Sequence, residues 1–411
     1  MLALAFGPIL YISARAAVAA MLLLALAGLA GSGLKARPLL AESARFLLPL
    51  LPLLLWMLLS AFWSFDPGGA VSLALRLAGL VLGGALLVAV TAQLEPERLR
   101  WPILALAAGL AFSAGVVALD LYLGGPFAFA VHPPAPENFD PALYYGRAAS
   151  LQAVFVVPLL IALVRLRAWR LGLLHTVLAA CAILESASLS ARMGLAVGLV
   201  ALALVYALPL LRWAGLAMLA LAMAAAPIPL PWHIGPEAAC WLVSHKASAL
   251  HRIMIWNFVA EHIHERPVLG WGLDAARDLP GGKTPVELRR CPPDPHAGDI
   301  ALQSNILPLH PHNGILQVWL ELGGIGALLG FVPALYGMAR LFRRPGWQSR
   351  LTQAMLAATL AAALAVWLFN FGLWQEWFLA GLFVAAAVSV PAAQTTGVMT
   401  WVRKPGRSPS S

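Results

Sequence analysis

The side chains best suited to chemistry in this chain are imidazoles and guanidinium groups, and they gather at the edges of apolar runs. The stretch Leu309-His310-Pro311-His312-Asn313 ends a long polar loop and precedes an apolar segment containing Glu321, Gly323, Gly324 and Gly326. An imidazole there titrates near neutral pH and can act as a general base. The same position also suits an interfacial histidine or a helix cap, and the glycines by themselves suit close helix packing. Arg76, Arg147 and Arg192 each stand at one end of an apolar run, as does Arg15, while Lys246 and Arg252 add positive charge from the long loop. A single such arginine readily snorkels to lipid headgroups. Several on one side of a bilayer, where charge is expensive, point to a shared anion. A lipid-linked phosphate or diphosphate fits, because a guanidinium fork binds phosphate oxygens in pairs.

Membrane helices must position these groups. The 411 residues are 61% hydrophobic and 11% charged, with a mean hydropathy of +0.82, whereas soluble domains carry roughly 25% charged residues. A helical span takes about 20 apolar residues, and the Leu/Ala/Val-rich runs lack the period of two that barrel strands require. Spans are expected at Phe46–Trp63, Ala70–Ala92, Pro102–Leu123, Tyr144–Val164, Leu171–Ser188, Gly194–Leu208 and Ala214–Leu230, then at Ile315–Leu341, Leu351–Phe369 and Trp374–Val390. Leu2–Leu34 is either one long span or a tight pair turning near Arg15. The pair gives about twelve spans in total. The expected fold is thus an all-α polytopic transmembrane bundle with one long, partly helical extracytoplasmic loop. Residues 1–230 and 312–391 form the helices, 231–311 the loop and 392–411 a cytoplasmic tail.

Short basic loops mark the cytoplasmic side. Lys35, Arg37 and Arg45, then Arg98 and Arg100, then Arg165, Arg167 and Arg170, then Arg212, then Arg340, Arg343, Arg344 and Arg350 recur at every second connection, and Arg403, Lys404 and Arg407 follow in the tail. The intervening connections, with Asp66 and Glu137, are acidic and rich in Pro and Gly, which places them and the long loop outside. The net charge of +9 is scattered between apolar runs and does not form the basic domain of a nucleic-acid binder. The N-terminus lacks the basic region of a cleavable signal. Cys240 and Cys291 share the long loop; in an oxidising compartment they can bridge, or equally stay unpaired. Within that loop His251–Arg266 reads as a helix and Pro280–Pro295 as an irregular segment.

The motifs resemble a known family. His312-Asn313, nine residues, Gly323, two residues and Gly326 are similar to the His-Asn-x9-Gly-x-x-Gly signature of bacterial O-antigen ligases and the wider O-antigen ligase/polymerase superfamily. The ligase pattern continues Thr-Pro where this chain has Ala327-Leu328. Ser188-Leu189-Ser190-Ala191-Arg192-Met193-Gly194 is similar to the superfamily's Ser-x-Arg-x-Gly element. Arg252 with Trp256, followed by Pro267-Val268-Leu269-Gly270-Trp271-Gly272, is similar to its Arg-x3-Trp and Pro-x-x-Gly-x-Gly elements.

The resemblance implies an inverting, metal-independent glycosyltransferase in the bacterial inner membrane. It would move a glycan from an undecaprenyl-diphosphate carrier to lipid A-core on the periplasmic face, with no cofactor. Arg192 and Arg252 would stabilise the diphosphate leaving group, and His312 would deprotonate the acceptor hydroxyl. Asn313 would orient His312 or bind a sugar, and Arg76 and Arg147 would hold the lipid phosphates. An O-antigen polymerase or a protein O-oligosaccharyltransferase shares the donor chemistry. A transporter instead predicts repeats and broken helices in matching halves, which the sequence does not display. No Asp-x-Asp pair or zinc spacing is present, and no nucleotide-binding glycine loop. Glu185 reads as the neutraliser of an arginine.

Overall fold

A computed structural model describes residues 1–131, 139–228, 234–294 and 298–394. Glu137, His233, His296 and the tail residues Arg403, Lys404 and Arg407 lie outside them. Helix makes up 78% of the structure and strand 4%. In chain order the helices are α1 (Leu2–Ile12), α2 (Ala17–Ser32), α3 (Ala36–Leu47), α4 (Leu51–Ser60), α5 (Pro67–Gln93), α6 (Pro96–Tyr122), α7 (Pro126–Val131), α8 (Pro141–Tyr144), α9 (Gly146–Arg165), α10 (Trp169–Glu185), α11 (Leu189–Ala207), α12 (Leu211–Ala225), α13 (Pro236–Glu265), α14 (Gly314–Arg343), α15 (Arg350–Phe369) and α16 (Glu376–Gln394). Among the described residues eight helices are long and apolar enough to cross a membrane, and the bent pair α3–α4, turning by 58°, makes up to nine. The remaining expected spans fall on α1, α10 and α12, of 11, 17 and 15 residues. At 1.5 Å per residue none of these three reaches the ~30 Å of a hydrocarbon core. The N-terminal break falls at the 3-10 turn Ala14–Ala16, around Arg15.

Helix starts follow from local chemistry. Asp66 caps α5 by accepting from the Gly69 amide, with Pro67 in the first turn, and Ser188 caps α11 through Ala191; both satisfy amides that a helix start leaves free. The core is centred on α9, whose side chains are almost all buried. Small residues let α11 lie close against α15: a methyl group on Gly194 would approach Val366 to 3.1 Å, and one on Gly198 would approach Ala362 to 3.2 Å. Such close approach is how helices associate in lipid, and here it brings the start of α11 to the end of α15.

The loop region departs from the sequence reading in two ways. The expected His251–Arg266 helix belongs to a longer element, α13, kinked at Lys246. The segment Pro280–Pro295, expected to be irregular, contains instead strand β1 (Pro285–Asp294), paired antiparallel with β2 (Gly298–Asn305). Prolines suggested a loop, but both strands of a two-stranded ribbon are edges, where a missing amide donor is tolerated, and the register shifts after Leu288 and Arg289. A Cys240–Cys291 disulfide ties α13 to this hairpin.

Candidate functional site

The site is assembled where the loop rejoins the bundle, and glycine geometry fixes the joint. α14 is broken at Gly323, whose φ of 64° lies in the left-handed region. The break frees backbone groups that the Pro267–Gly272 segment pairs: Trp271 and Gly272 amides donate to the Leu320 and Glu321 carbonyls at 2.9 and 2.8 Å, and the Gly324 amide donates to the Pro267 carbonyl at 2.8 Å. A side chain at Gly270 would meet the Glu321 backbone at 2.5 Å, and one at Gly323 the Val268 carbonyl at 2.3 Å. The two glycine motifs are therefore two halves of one backbone seam. Glu321, fully buried, anchors it by accepting from Gln317 Nε2, the Asp274 amide and Trp374 Nε1.

His312 stands just before α14 with a positive φ of 52°, a conformation uncommon for a residue with a side chain. It is held on several sides. Trp256 of α13 donates from Nε1 to the Pro311 carbonyl at 3.0 Å, and His312 Nδ1 bonds the Asn370 carbonyl in the turn between α15 and α16. A carbonyl can only accept, so Nδ1 carries the proton and Nε2 is left with its lone pair. Burial, reinforced by the charges of Arg252 and His251 and opposed by the Asn370 bond, lowers the His312 pKa to about 4. His310 alongside is held down to about 3, chiefly by burial, then by His312, Arg277 and Arg252. Both imidazoles are neutral at pH 7.

The Asn370 side chain donates to Ser190 Oγ at 2.8 Å, which joins His312 to the start of α11. Ser190 lies 3.1 Å from Ser188 Oγ, and Ser188 lies 3.4 Å from Ser150 Oγ. This buried chain couples three helices to the imidazole. Asn370 was not singled out by the sequence reading, since it sits in an unremarkable turn after an apolar run; its role depends on a contact 58 residues from His312.

The predicted arginines separate. Arg252 donates from Nη1 to the Ser248 carbonyl and hydroxyl at 3.0 and 3.3 Å, and its buried Nε has no partner. Burial lowers its pKa, and it forms no ion pair among the described residues. Arg192 donates from Nη2 to the Leu184 and Ser186 carbonyls, both at 2.7 Å; it closes the C-terminal end of α10, where cations are favoured. Those carbonyls flank Glu185, whose own carboxylate is not in a salt bridge among the described residues. Arg76 is paired with Glu376 at 2.6 Å and with Ser72, joining α5 to α16. Arg147 lines a separate cavity with Arg15. Asn313 accepts from the Ile315 and Leu316 amides and caps α14, leaving only its amide nitrogen for other contacts. No group of three or more His, Cys, Asp or Glu with metal-binding potential occurs among the described residues.

The seam, His312, Arg192 of α11 and Arg252 of α13 lie within one stretch that matches a family model: residues 174–331 match that of the O-antigen ligases. Over this segment the chain is similar to the O-antigen ligases. A Rickettsia conorii protein named as a candidate polysaccharide ligase is 32% identical over 138 residues, covering 33% of this chain and 30% of that protein. A Rickettsia prowazekii protein of the same description is 42% identical over 82 residues, covering 20% and 18%. The chain thus matches less than a third of the length of these curated relatives. Within the matched segment the seam joins the long loop to the helix that His312 precedes.

Proposed function

We propose that this chain is a member of the O-antigen ligase superfamily that transfers a glycan from an undecaprenyl-diphosphate carrier to a sugar hydroxyl of lipid A-core, on the periplasmic face of the inner membrane, with inversion and without a metal. The observation that carries this reading is the half-buried guanidinium of Arg252, which has no ion pair among the described residues and a buried Nε without a partner, and whose charge acts on a neutral imidazole of fixed tautomer. Even partial burial of a cation without a counter-charge is unfavourable, so the site suits a ligand that brings negative charge. A carrier diphosphate does so.

In the proposed step the acceptor oxygen bonds to the anomeric carbon as the bond from that carbon to the diphosphate oxygen breaks. The hydroxyl proton passes to His312 Nε2, and the electron pair leaves with the diphosphate. Arg252 stabilises that developing charge. Arg192 keeps donors not bound to carbonyls, and in this reading they serve the same leaving group. The recurring basic loops support a cytoplasmic assignment for the opposite end of the bundle.

The test is transfer by purified protein with lipid-linked glycan and either lipid A-core or a second lipid-linked unit, with and without chelator. Chelator-resistant product on lipid A-core supports the reading. Lengthening of glycan on the carrier identifies a polymerase instead, and modification of a protein serine identifies an oligosaccharyltransferase. Full activity of Arg252→Ala or His312→Ala removes that residue from the mechanism.

A further inference from the structure

A second cationic site lies at the same end of the bundle and shares no lining residue with the His312 assembly. Between the end of α1, the turn that follows it and the first turn of α9 is a cavity of about 210 Å³, lined by Arg15, Arg147, Ser13, Tyr144, Leu10 and Ile12 among others. Its walls are tied together, since the Tyr144 hydroxyl donates to the Ile12 carbonyl at 2.7 Å. Neither arginine forms an ion pair or hydrogen bond among the described residues, and both side chains are exposed. Like charges sharing a cavity repel, and a bound anion reverses the sign of that interaction. The start of α9 adds to the field. It lacks a side-chain cap, and its first-turn residues Arg147 and Ala148 line the cavity, so the positive end of a helix dipole supplements the two guanidinium groups.

Size and polarity narrow the ligand. The cavity is smaller than the roughly 300 Å³ at which pockets begin to enclose a whole small molecule, which suits a headgroup rather than an oligosaccharide. Leu10 and Ile12 give one wall apolar character, and Ile12 is 52% exposed, so a chain attached to the headgroup would continue along apolar surface. We propose that Arg15 and Arg147 form a binding site for a phosphate group borne on a lipid, separate from the centre containing His312.

The experiment measures binding, not transfer. Full-length protein in detergent is titrated with phosphatidylglycerol, with a polyisoprenyl monophosphate and with inorganic phosphate, followed by native mass spectrometry and thermal shift. Each titration is made in the wild type and in Arg252→Ala, so that binding at the transfer centre is subtracted. In both backgrounds Arg15→Ala/Arg147→Ala should weaken retention of at least one lipid phosphate by roughly tenfold or more, and the two lipid arms identify which lipid is preferred. Arg15→Lys/Arg147→Lys should recover part of it, which separates lost charge from misfolding. Lipid retention unchanged by removing both arginines overturns the site, and inorganic phosphate binding as tightly as the lipids overturns the lipid assignment. Failure of the transfer reading leaves these outcomes unaffected.

Discussion

In the proposed mechanism His312 concentrates the chemistry in one ring. Its Nδ1 is occupied by a carbonyl and its Nε2 is free, so truncation should remove base catalysis without unfolding the bundle. His312→Ala should lower the transfer rate by about 10²–10⁴-fold, measured on protein shown to be membrane-inserted. Because burial holds the pKa near 4, the rate should rise with pH through about 4 and stay flat through neutrality, without an inflection near the ordinary 6.5. The same shift has a stability sign. The unfolded chain takes up the proton first, so this histidine's contribution is complete above pH 6.5 and is lost as pH falls toward 4. Thermal unfolding across that interval should therefore be less pH-dependent in His312→Gln than in the wild type. In the proposed step Arg252 stabilises the leaving group, so Arg252→Ala should cost about 10²–10³-fold in rate, with Arg252→Lys recovering only part because a lysine lacks the planar fork.

At the scale of elements the decisive feature is the seam between Pro267–Gly272 and the broken α14. Gly323→Ala places a methyl group against the Val268 carbonyl and strains a positive φ, so it should cost about 1–3 kcal/mol or more, read by thermal unfolding. Gly330→Ala, within α14 and meeting only Leu53 side-chain carbons at 3.6 and 3.8 Å, should be nearly neutral and serves as the control. The motif glycines were visible in the sequence, yet their spacing reads equally as helix packing. What distinguishes the two is the partner strand of backbone, which lies 53 residues earlier for Gly323 and Gly270. The hairpin was misread for a related reason: prolines exclude a central strand, and only the pairing reveals that both strands are edges.

For the whole molecule, the bridge between Cys240 and Cys291 and the distribution of cations bear on orientation. The disulfide closes a segment with a sequence separation of 51, for which chain entropy sets an upper contribution of about 4 kcal/mol. Cys240→Ser/Cys291→Ser should therefore lower the unfolding temperature of the loop region. In intact cells Cys240 and Cys291 should react with a maleimide only after reduction. A cysteine introduced at Ser304 in β2 should react with a membrane-impermeant reagent; protection there, with reaction on the cytosolic side, would overturn the proposed orientation.

Composition alone determined the solvent and the class of fold: so few charges over so many apolar residues leave helices in lipid as the stable outcome. Motif spacing singled out Arg192, Arg252 and His312 as candidates. Tertiary structure decided what each group was free to do. Arg76 and Arg192 are bound by Glu376 and by helix-end carbonyls, Asn313 is spent as a cap, and Arg252 stays half-buried with no ion pair and an unpartnered Nε among the described residues. The physical reason is that a residue type fixes its donors and charge, whereas availability depends on partners distant in sequence, such as Asn370 and Glu376, that only folding brings near.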